Sequence, residues 1–249
     1  MSESSAIIAT NLSVVYGSRN VLLNVNLQVG SREFVAIVGP SGVGKSSLLH
    51  ALAGFIPCGG NPTAPKHFGF VFQSNPVFPF LTVEGNVGLG VRSRSTEGRE
   101  QRIIQNITAV GLQQERHRYP GQLSGGQVQR VALARALAAD PEPQILYCDE
   151  PFGALDVFTR ERMQELLLSL SESRNMAVLF VTHSIEEAIF MADRVILLKD
   201  HSLKDEFPVN FPRPRRRQIK YSSEFVTLQQ MIVGAMESTR DISKISPHT

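Results

Sequence analysis

Apolar and polar residues alternate near the start of the chain with a period of two. The alternation runs through AIIAT (residues 6–10), LSVVYG (12–17) and VLLNVNLQV (21–29). This period predicts antiparallel strands that each bury one face. The following run, EFVAIVG (33–39), is apolar at consecutive positions and ends in glycine. It predicts a parallel strand that is buried on both faces.

A helical period replaces the alternation after this strand. In GKSSLLHALAG (44–54), apolar residues recur at i, i+3 and i+4, which predicts a helix. A segment rich in Pro and Gly (56–65) and a short apolar strand, FGFVF (68–72), come next. Three further segments are then predicted as helices: residues 82–91, 99–112 and 125–139.

Strands and helices alternate again in the later part of the chain. ILYCD (145–149), AVLFVTH (177–183) and VILLK (195–199) are typical of strands, and the segments between them of helices. Because a strand, a crossover helix and a second strand form the repeating unit of parallel sheets, this order predicts an α/β fold.

The changes of period also predict the domain organisation. Residues 1–73 and 139–211 would form the α/β core, with an antiparallel β-subdomain at the N-terminus. Residues 74–138 would form a helical insert. Residues 212–249 would form a basic and helical tail that has no predicted place in the sheet.

Composition and charge exclude several classes of protein. Hydrophobic residues make up 42% of the chain and charged residues 19%, a balance that argues against a disordered chain. Lys plus Arg numbers 25 against 23 for Asp plus Glu, so the net charge is +2. A charge this close to zero gives no bulk electrostatic reason to bind nucleic acid.

The cysteines and the hydropathy of the chain indicate the cellular compartment in which the protein is expected to act. Cys58 and Cys148 are far apart in the sequence, which disfavours a disulfide framework and favours a reducing compartment. The first residues lack the basic and apolar segments of a signal peptide, and no apolar run approaches the ~18 residues of a membrane span. We therefore expect any membrane role to depend on a partner.

A glycine-rich loop follows the buried strand. GPSGVGKS at residues 39–46 matches the pattern G-x-x-x-x-G-K-[ST], and it lies between a predicted strand and a predicted helix. Glycines let such a loop wrap closely around phosphates, with backbone N–H groups aimed at the oxygens. We expect Lys45 to reach the β- and γ-phosphates and the Ser46 hydroxyl to bind Mg²⁺.

Two other patterns indicate chemistry but are weak when taken alone. Asp149 and Glu150 end the strand ILYCD as an acidic pair, which suits a metal ligand and a neighbouring general base. Such a pair is otherwise an ordinary solvated loop. LSGGQ (123–127) precedes a predicted helix, where a hydroxyl, free N–H groups and the helix dipole can bind an anion. Taken alone, this pattern is an ordinary helix cap with a flexible loop.

Together these residues resemble the ATP-binding subunits of ABC transporters over nearly the whole chain. The landmarks of that family occur in order: an aromatic A-loop residue (Tyr16), the phosphate-binding loop, a Q-loop glutamine (Gln73), the LSGGQ signature, the acidic pair, a D-loop (Ala154, Leu155, Asp156) and a switch histidine (His183). The resemblance implies an α/β P-loop NTPase core of ABC ATPase type, with an N-terminal antiparallel β-subdomain and a helical signature subdomain. It also implies ATP hydrolysis coupled to transport, with ATP and Mg²⁺ as cofactors.

The resemblance assigns a role to each landmark. Glu150 would polarise the attacking water, while His183 and Gln73 would contact the γ-phosphate and its Mg²⁺. Tyr16 would stack on adenine, where the alternative is a tyrosine of the core. The implied metal ligands are Ser46, Gln73 and Asp149. The residues implied to bind nucleotide are Tyr16, Gly39, Pro40, Ser41, Gly42, Val43, Gly44, Lys45, Ser46, Ser47, Ser124, Gly125, Gly126, Gln127 and Asp156.

The resemblance also implies partners. Ser124, Gly125 and Gly126 would meet ATP bound to the other protomer, which requires a head-to-tail dimer with two composite sites. Transmembrane permease subunits and a solute-binding protein complete the implied assembly, at the cytoplasmic face of the cell membrane and without nucleic acid.

Three segments resemble importers of the nitrate, sulfonate and taurine group, whose substrates are small anions: VFPFLTVEGNVGLGV (77–91), THSIEEAIFMADRVILL (182–198) and PRPRRR (212–217). Three departures weaken the assignment of a substrate, the first being that LSGGQVQR lacks the group's usual residues after the double glycine. The segment before Gln73 is short and lacks a Gly-rich strand pair, which predicts a trimmed β-subdomain, and Gly153 stands where Ser commonly precedes the D-loop. The catalytic groups are all present.

Two other functional classes fit the phosphate-binding loop. A soluble ABC ATPase of DNA repair or translation would carry a coiled-coil insertion or two fused ATPase units, and 249 residues leave no room for either. A small-molecule kinase or GTPase would lack LSGGQ and the Glu after Asp149.

The densest charge run of the chain lies in the tail, at Arg213, Arg215, Arg216 and Arg217. A solvated basic stretch is the favoured interpretation of such a run. The alternative is a contact with the permease or with anionic lipid, worth about 1 kcal/mol per basic residue near such a surface. Binding to nucleic acid is the weakest alternative, because no aromatic platform accompanies the arginines.

Overall fold

The computed structural model describes residues 5–74, 77–91, 95–139 and 141–238. The strands are β1 (Ser5–Tyr16), β2 (Arg19–Gly30), β3 (Phe34–Val38), β4 (Phe68–Val71), β5 (Ile145–Asp149), β6 (Ala177–Thr182), β7 (Arg194–Lys199) and β8 (Ser202–Pro208). The helices are α1 (Lys45–Leu52), α2 (Val83–Gly88), α3 (Thr96–Ala109), α4 (Gly125–Leu137), α5 (Val157–Ser173), α6 (Ile185–Met191) and α7 (Ser223–Glu237). Short 3₁₀ turns occur at Gln113–Glu115, Pro120–Gln122 and Arg217–Tyr221. Residues 1–4 of the predicted core and 239–249 of the predicted tail lie outside the described residues.

Six strands form one sheet in the order β4–β5–β6–β3–β7–β8. The first five are parallel, and β8 pairs antiparallel with β7 at the edge. Every residue of β3, β5 and β6 is buried, as consecutive apolar positions predict for strands covered on both faces. Because these neighbouring strands are parallel, the loops after them meet at one edge of the sheet.

The N-terminal strands form a separate two-stranded antiparallel sheet of β1 and β2. The first two alternating runs of the sequence are one strand in the structure, with an irregularity where Asn11 takes a φ of 52°. The Pro/Gly-rich segment adds two isolated bridges to β1, at Gly59 and Thr63. Gly60 is required there, because a Cβ on it would lie 2.4 Å from the carbonyl oxygen of Asn11.

The middle of the chain is helical, as predicted, and its helices pack on one another. α2 contacts both α3 and α4, and α4 also packs against β4 of the large sheet. Val83, Val87, Ile103, Ile107 and Val131 bury their side chains at these contacts, in the same apolar core that covers one face of the sheet. The helices are therefore attached to the sheet through a continuous core.

The expectation of a solvated basic stretch in the tail is wrong for two of its four arginines, Arg213 and Arg215, which are largely buried. Arg215 is only 7% exposed and donates to the carbonyl oxygens of Ile189, Phe190 and Ala192 at the end of α6. Arg216 is exposed. The physical reason is that the segment crosses the C-terminal end of α6, whose last carbonyl groups need donors.

The arginines on either side of this pair make ion pairs. Arg213 pairs with Asp193 at 2.7 Å and with Glu172 at 2.9 Å. Arg217 pairs with Glu161 and Glu165 of α5, each at 2.8 Å. The segment is thus bound to α5 and to the end of α6 by its own side chains.

Helix α7 follows this segment and docks by its apolar residues. Phe225 and Ile232 are buried, and Lys199 of β7 donates to the carbonyl oxygens of Ala235 and Met236 at the end of α7. None of the helices in the described part of the chain has both the length and the apolar character needed to cross a membrane.

Candidate active site

The glycine-rich loop lies between β3 and α1, at the edge of the sheet where the loops after parallel strands meet. Gly42 and Gly44 have φ angles of 76° and 111°, which strongly favour glycine. Gly39 is required for a different reason, since a Cβ there would lie 2.2 Å from the carbonyl oxygen of Leu198. Gly44 gives α1 no side-chain cap, so no side chain competes with a ligand for its first N–H groups.

Lys45 is a buried cation at the start of α1, with only 5% of its surface exposed. Its Nζ donates to the carbonyl oxygens of Gly39 (3.0 Å) and Pro40 (3.1 Å), and it lies 3.7 Å from Glu150 Oε1. Burial lowers the pKa of Lys45, and the negative charges of Glu150 and Asp149 oppose that shift. The ammonium group is therefore positioned inside the loop by the carbonyl oxygens of the loop itself.

Ser46 and Asp149 form a pair of oxygen donors beside the loop. The Ser46 hydroxyl donates to Asp149 Oδ1 at 2.9 Å, and Asp149 is a buried residue at the end of β5. The pKa of Asp149 is raised because burial, the larger effect, outweighs the opposing hydrogen bond from the Ser46 hydroxyl. A hydroxyl and a carboxylate are hard oxygen ligands, which fits Mg²⁺ bound by one or two protein groups together with phosphates and water. The described residues contain no group of three or more His, Cys, Asp and Glu side chains that could hold a metal ion.

Glu150 is the point where the predicted catalytic residues meet. Its Oε2 accepts from Gln73 Nε2 at 3.4 Å and lies 2.9 Å from His183 Nδ1. Its backbone has a φ of 41°, an uncommon conformation for a residue other than glycine and one that occurs often at functional sites. The structure thus brings Gln73, Lys45 and His183 together around one carboxylate.

A cleft of about 390 Å³ opens at this position. It is lined by Gln73 and Glu150, by Arg19 and Val21 at the start of β2, and by the loop residues Ser41, Gly42, Gly44, Lys45, Ser46 and Ser47. Neither Arg19 nor Val21 was predicted from the sequence as a site residue. A basic residue three positions after the predicted adenine-stacking tyrosine is the only signal that could have suggested Arg19.

Tyr16 is half-exposed at the end of β1, so it is not a tyrosine of the core. It pairs across the β1–β2 hairpin with Arg19, which lines the cleft. Tyr16 itself is not among the residues that line the cleft.

The signature residues lie at the start of α4 and do not line this cleft. The Ser124 Oγ accepts from the Gln127 N–H at 3.3 Å, and Gln127 Oε1 accepts from the Ser124 N–H at 2.9 Å. This reciprocal arrangement is a capping box, which fixes the helix start. Ser124 and Gly125 are exposed, while Gly126 lies so close to α5 that a Cβ on it would be 2.4 Å from Thr159 Cγ2.

Asp156 is also outside the cleft, at the start of α5. Its Oδ1 accepts from the Thr159 N–H at 3.1 Å, and hydrogen bonding to the side chain and the backbone of Thr159 lowers the pKa of Asp156. Arg160 in the next turn donates to the carbonyl oxygens of Phe152 and Leu155. The loop between β5 and α5 is therefore held by α5, with Asp156 acting as its cap.

Comparison with known proteins decides the family. The model of the family described as ABC transporter matches residues 22–153. The chain belongs to the ABC transporter family. Taurine import ATP-binding protein TauB from Escherichia coli O157:H7 is 39% identical, and the alignment covers 93% of this chain and 97% of TauB. The protein of the same name from Shigella dysenteriae serotype 1 has the same identity and coverage.

Solved structures of the family share the fold. The dimeric structure of MJ0796, a bacterial ABC transporter cassette, has a TM-score of 0.71 and 34% identity, covering 83% of this chain and 100% of the cassette. A post-hydrolysis state of that cassette, bound to ADP and Pi, has 33% identity with the same TM-score and coverage. An inward-facing putative metal-chelate type ABC transporter has a TM-score of 0.74 and 27% identity, covering 92% of this chain and 90% of its own.

These findings confirm the predicted family, the predicted fold class and the prediction of an ATP-binding, ATP-hydrolysing subunit. Membership implies ATP as the nucleotide, a dimeric ATPase and a membrane permease as partner.

Proposed function

We propose that this chain drives an importer of small anions such as nitrate, sulfonates or taurine, as a head-to-tail dimer on the cytoplasmic face of the cell membrane. Two permease subunits and a solute-binding protein would complete the assembly. The relation to TauB, named as a taurine import protein and 39% identical over 93% of the chain, supports the substrate class.

The observation that carries the proposal is the convergence of Lys45, Gln73 and His183 on Glu150, a residue that lines the cleft. In ATP hydrolysis, Lys45 would bind the β- and γ-phosphates, and Glu150 would accept a proton from the attacking water. His183 and Gln73 would orient the γ-phosphate end of the nucleotide. A general base of this kind contributes about 10²–10⁴-fold to the rate.

We propose that Ser46, Asp149 and Gln73 hold Mg²⁺ at this site. When bound, the ion would neutralise negative charge on the β- and γ-phosphates. Ser46 would exchange its hydrogen bond with Asp149 for the ion, since the two groups now satisfy each other at 2.9 Å. Gln73, which lines the same cleft, would supply its side-chain oxygen to the ion.

The loop residues Gly39–Ser47 would bind phosphate through their backbone, and Tyr16 would stack on adenine. We propose that Ser124, Gly125, Gly126, Gln127 and Asp156 serve the nucleotide of the partner subunit. Their position outside the cleft of their own chain supports this assignment. The division into a core (1–73 and 139–211), a helical subdomain (74–138) and a tail (212–249) belongs to the same proposal.

Glu150→Gln tests the proposed chemistry. The amide cannot accept the proton, so we expect turnover to fall by at least about 10²-fold while ATP binding is retained. The variant should also accumulate an ATP-bound dimer, which light scattering with Mg-ATP would detect. A variant that stays monomeric and hydrolyses ATP at the parent rate would contradict the proposal.

A further inference from the structure

His183 reaches Glu150 from the turn between β6 and α6, and nothing else that the structure describes holds its ring. The histidine side chain is 61% exposed, and its described polar contact is the one at 2.9 Å to Glu150. Its position therefore depends on the backbone of the turn.

A relay of hydrogen bonds beneath the histidine fixes that turn. Thr182, the last residue of β6, donates its hydroxyl to Glu187 Oε2 at 2.5 Å. The same Thr182 oxygen accepts from the Ser184 N–H at 3.1 Å, and the Ser184 hydroxyl accepts from the Glu187 N–H at 3.2 Å. His183 lies between the two residues that this relay joins.

The arrangement differs from an ordinary capping box in one respect. In a capping box the glutamate at the third helical position accepts directly from the N–H of the cap residue. Here Glu187 holds that position after the cap residue Ser184, but the Thr182 hydroxyl stands between the carboxylate and the N–H. The last strand residue before the histidine is thereby tied to the first helical turn after it.

Glu187 is buried, with 6% of its surface exposed, and its other oxygen accepts from Gln164 Nε2 of α5 at 2.9 Å. Within the described part of the chain it has no ion pair, so neutral donors and the start of α6 satisfy the carboxylate. The titratable neighbour on β5 is Cys148, a buried thiol. A buried carboxylate without a cation is costly for stability alone, which favours a functional reason for its presence.

A glutamate and a glutamine at position 187 would differ in their effect on Thr182, because the Thr182 hydroxyl has a single proton to donate. A carboxylate only accepts, so it obliges Thr182 to donate toward it, which leaves the lone pairs of Thr182 for the Ser184 N–H. A glutamine could present an N–H instead and would compete with Ser184 for the same oxygen. With glutamate at position 187, the Thr182 hydroxyl can therefore donate in one direction only. With glutamine, the hydrogen bond between the two side chains could run in either direction.

We propose that Glu187 is a positioning residue for ATP hydrolysis. Acting through the Thr182 hydroxyl, it fixes the turn that aims His183 at Glu150. The inference rests on the proposed role of His183 in hydrolysis.

Three substitutions test the relay by steady-state ATP turnover and equilibrium ATP binding. Glu187→Gln and Thr182→Val, which both keep side-chain volume, should lower kcat by about ten- to a hundredfold, the scale of a small misplacement of a catalytic group. ATP affinity should stay within about twofold, because neither residue lines the cleft of the phosphate-binding loop. Thr182→Ser keeps the hydroxyl and should retain the parent kcat.

Glu186→Gln is the matched control. Glu186 is the neighbouring residue of α6 and pairs with Lys220 at the surface, so the same change there should leave kcat unaltered. If Glu187→Gln proves unstable in thermal unfolding, the Thr182→Val and Thr182→Ser pair carries the test.

A double-mutant cycle with His183→Ala separates positioning from a general loss of structure. If Glu187 acts through His183, Glu187→Gln should cause no further loss of kcat in the His183→Ala background. Additive losses, or a fall in ATP affinity that matches the fall in kcat, would overturn the inference. If His183→Ala alone hydrolyses ATP at the parent rate, the proposed role of His183 in hydrolysis is refuted. If His183→Ala lowers turnover but Glu187→Gln does not, only the positioning role of Glu187 is refuted.

Discussion

Lys45 and Arg215 are two buried cations that donate to backbone carbonyl oxygens, one in the nucleotide cleft and the other beneath the tail. Lys45 is 5% exposed and Arg215 is 7% exposed. Burial lowers the pKa of both groups, that of Arg215 to about 10, where repulsion from Arg213 adds to the effect. By burial alone the two residues are indistinguishable.

Their partners distinguish them. Lys45 donates to two carbonyl oxygens of its own loop and lines an open cleft beside Glu150. Arg215 donates to carbonyl oxygens at the end of α6, and additionally to that of Val209. A buried cation at an open cleft is poised for a ligand, whereas one enclosed by the end of a helix supplies donors that the fold itself requires.

The largest expected effect is that of Lys45→Ala on ATP binding. Without the ammonium the β- and γ-phosphates lose their cationic partner, so we expect tight binding to be abolished. ATP at a hundred times its Kd should stabilise the parent by about 2.7 kcal/mol and the variant not at all. Equilibrium titration and thermal unfolding with and without Mg-ATP measure this, and near-parental affinity would contradict the assignment of the loop.

Arg215→Met should show the opposite pattern. We expect the free energy of unfolding to fall by roughly 3 kcal/mol, the scale of one or two lost hydrogen bonds to a charged group. ATP affinity of the folded protein should be unchanged, because Arg215 does not line the cleft. Urea unfolding measures the loss of stability, and ATP titration measures the affinity of the folded protein. If Arg215→Met lost ATP affinity without losing stability, the distinction between Lys45 and Arg215 would be wrong.

Substitutions of the neighbouring arginines should have smaller effects. Arg217→Ala breaks ion pairs with Glu161 and Glu165 at the surface, where solvent screening weakens them, so we expect a smaller loss of stability than for Arg215→Met. Arg216→Ala removes an exposed side chain and should stay within about 0.5 kcal/mol of the parent. Urea unfolding of both variants beside Arg215→Met checks the order; equal losses at 215 and 216 would mean that burial does not explain the role of this segment.

The contrast between the loop of Lys45 and the tail segment of Arg215 also shows which features could be predicted from the sequence. The period of the apolar residues predicted β3, β5 and β6, because strands buried on both faces have continuous apolar runs. The glycine-rich loop was predictable because its backbone requirements fall on residues that are close in the sequence. The meeting of Gln73 and His183 at Glu150 followed only from the resemblance to a family.

Most features that could not be predicted lack a periodic signal or depend on contacts distant in the sequence. Strand β8 is a mostly exposed edge strand with polar residues, so its period gave no signal. Helix α3 is an exception, because it begins at Thr96, three residues before the predicted start, through a local cap by the Ser95 side chain. Arg215 looked like part of a solvated run, since nothing near it in the sequence shows that it meets the end of α6.

The composite site is the central claim, and mixing two inactive variants tests it most directly. Ser124→Arg damages the signature, and Lys45→Ala damages the phosphate-binding loop. In a head-to-tail dimer of one of each, one site carries both lesions and the other carries none. Random pairing at equal amounts would restore at most about a quarter of the sites.

The measurement is ATP turnover against the mixing ratio, at concentrations that favour the dimer, with exchange of subunits confirmed and the permease present if the isolated subunits pair weakly. We expect activity to rise from the baseline of each variant to a maximum near equal amounts. A flat line at that baseline would mean that Ser124 serves the nucleotide of its own chain, which would contradict the account.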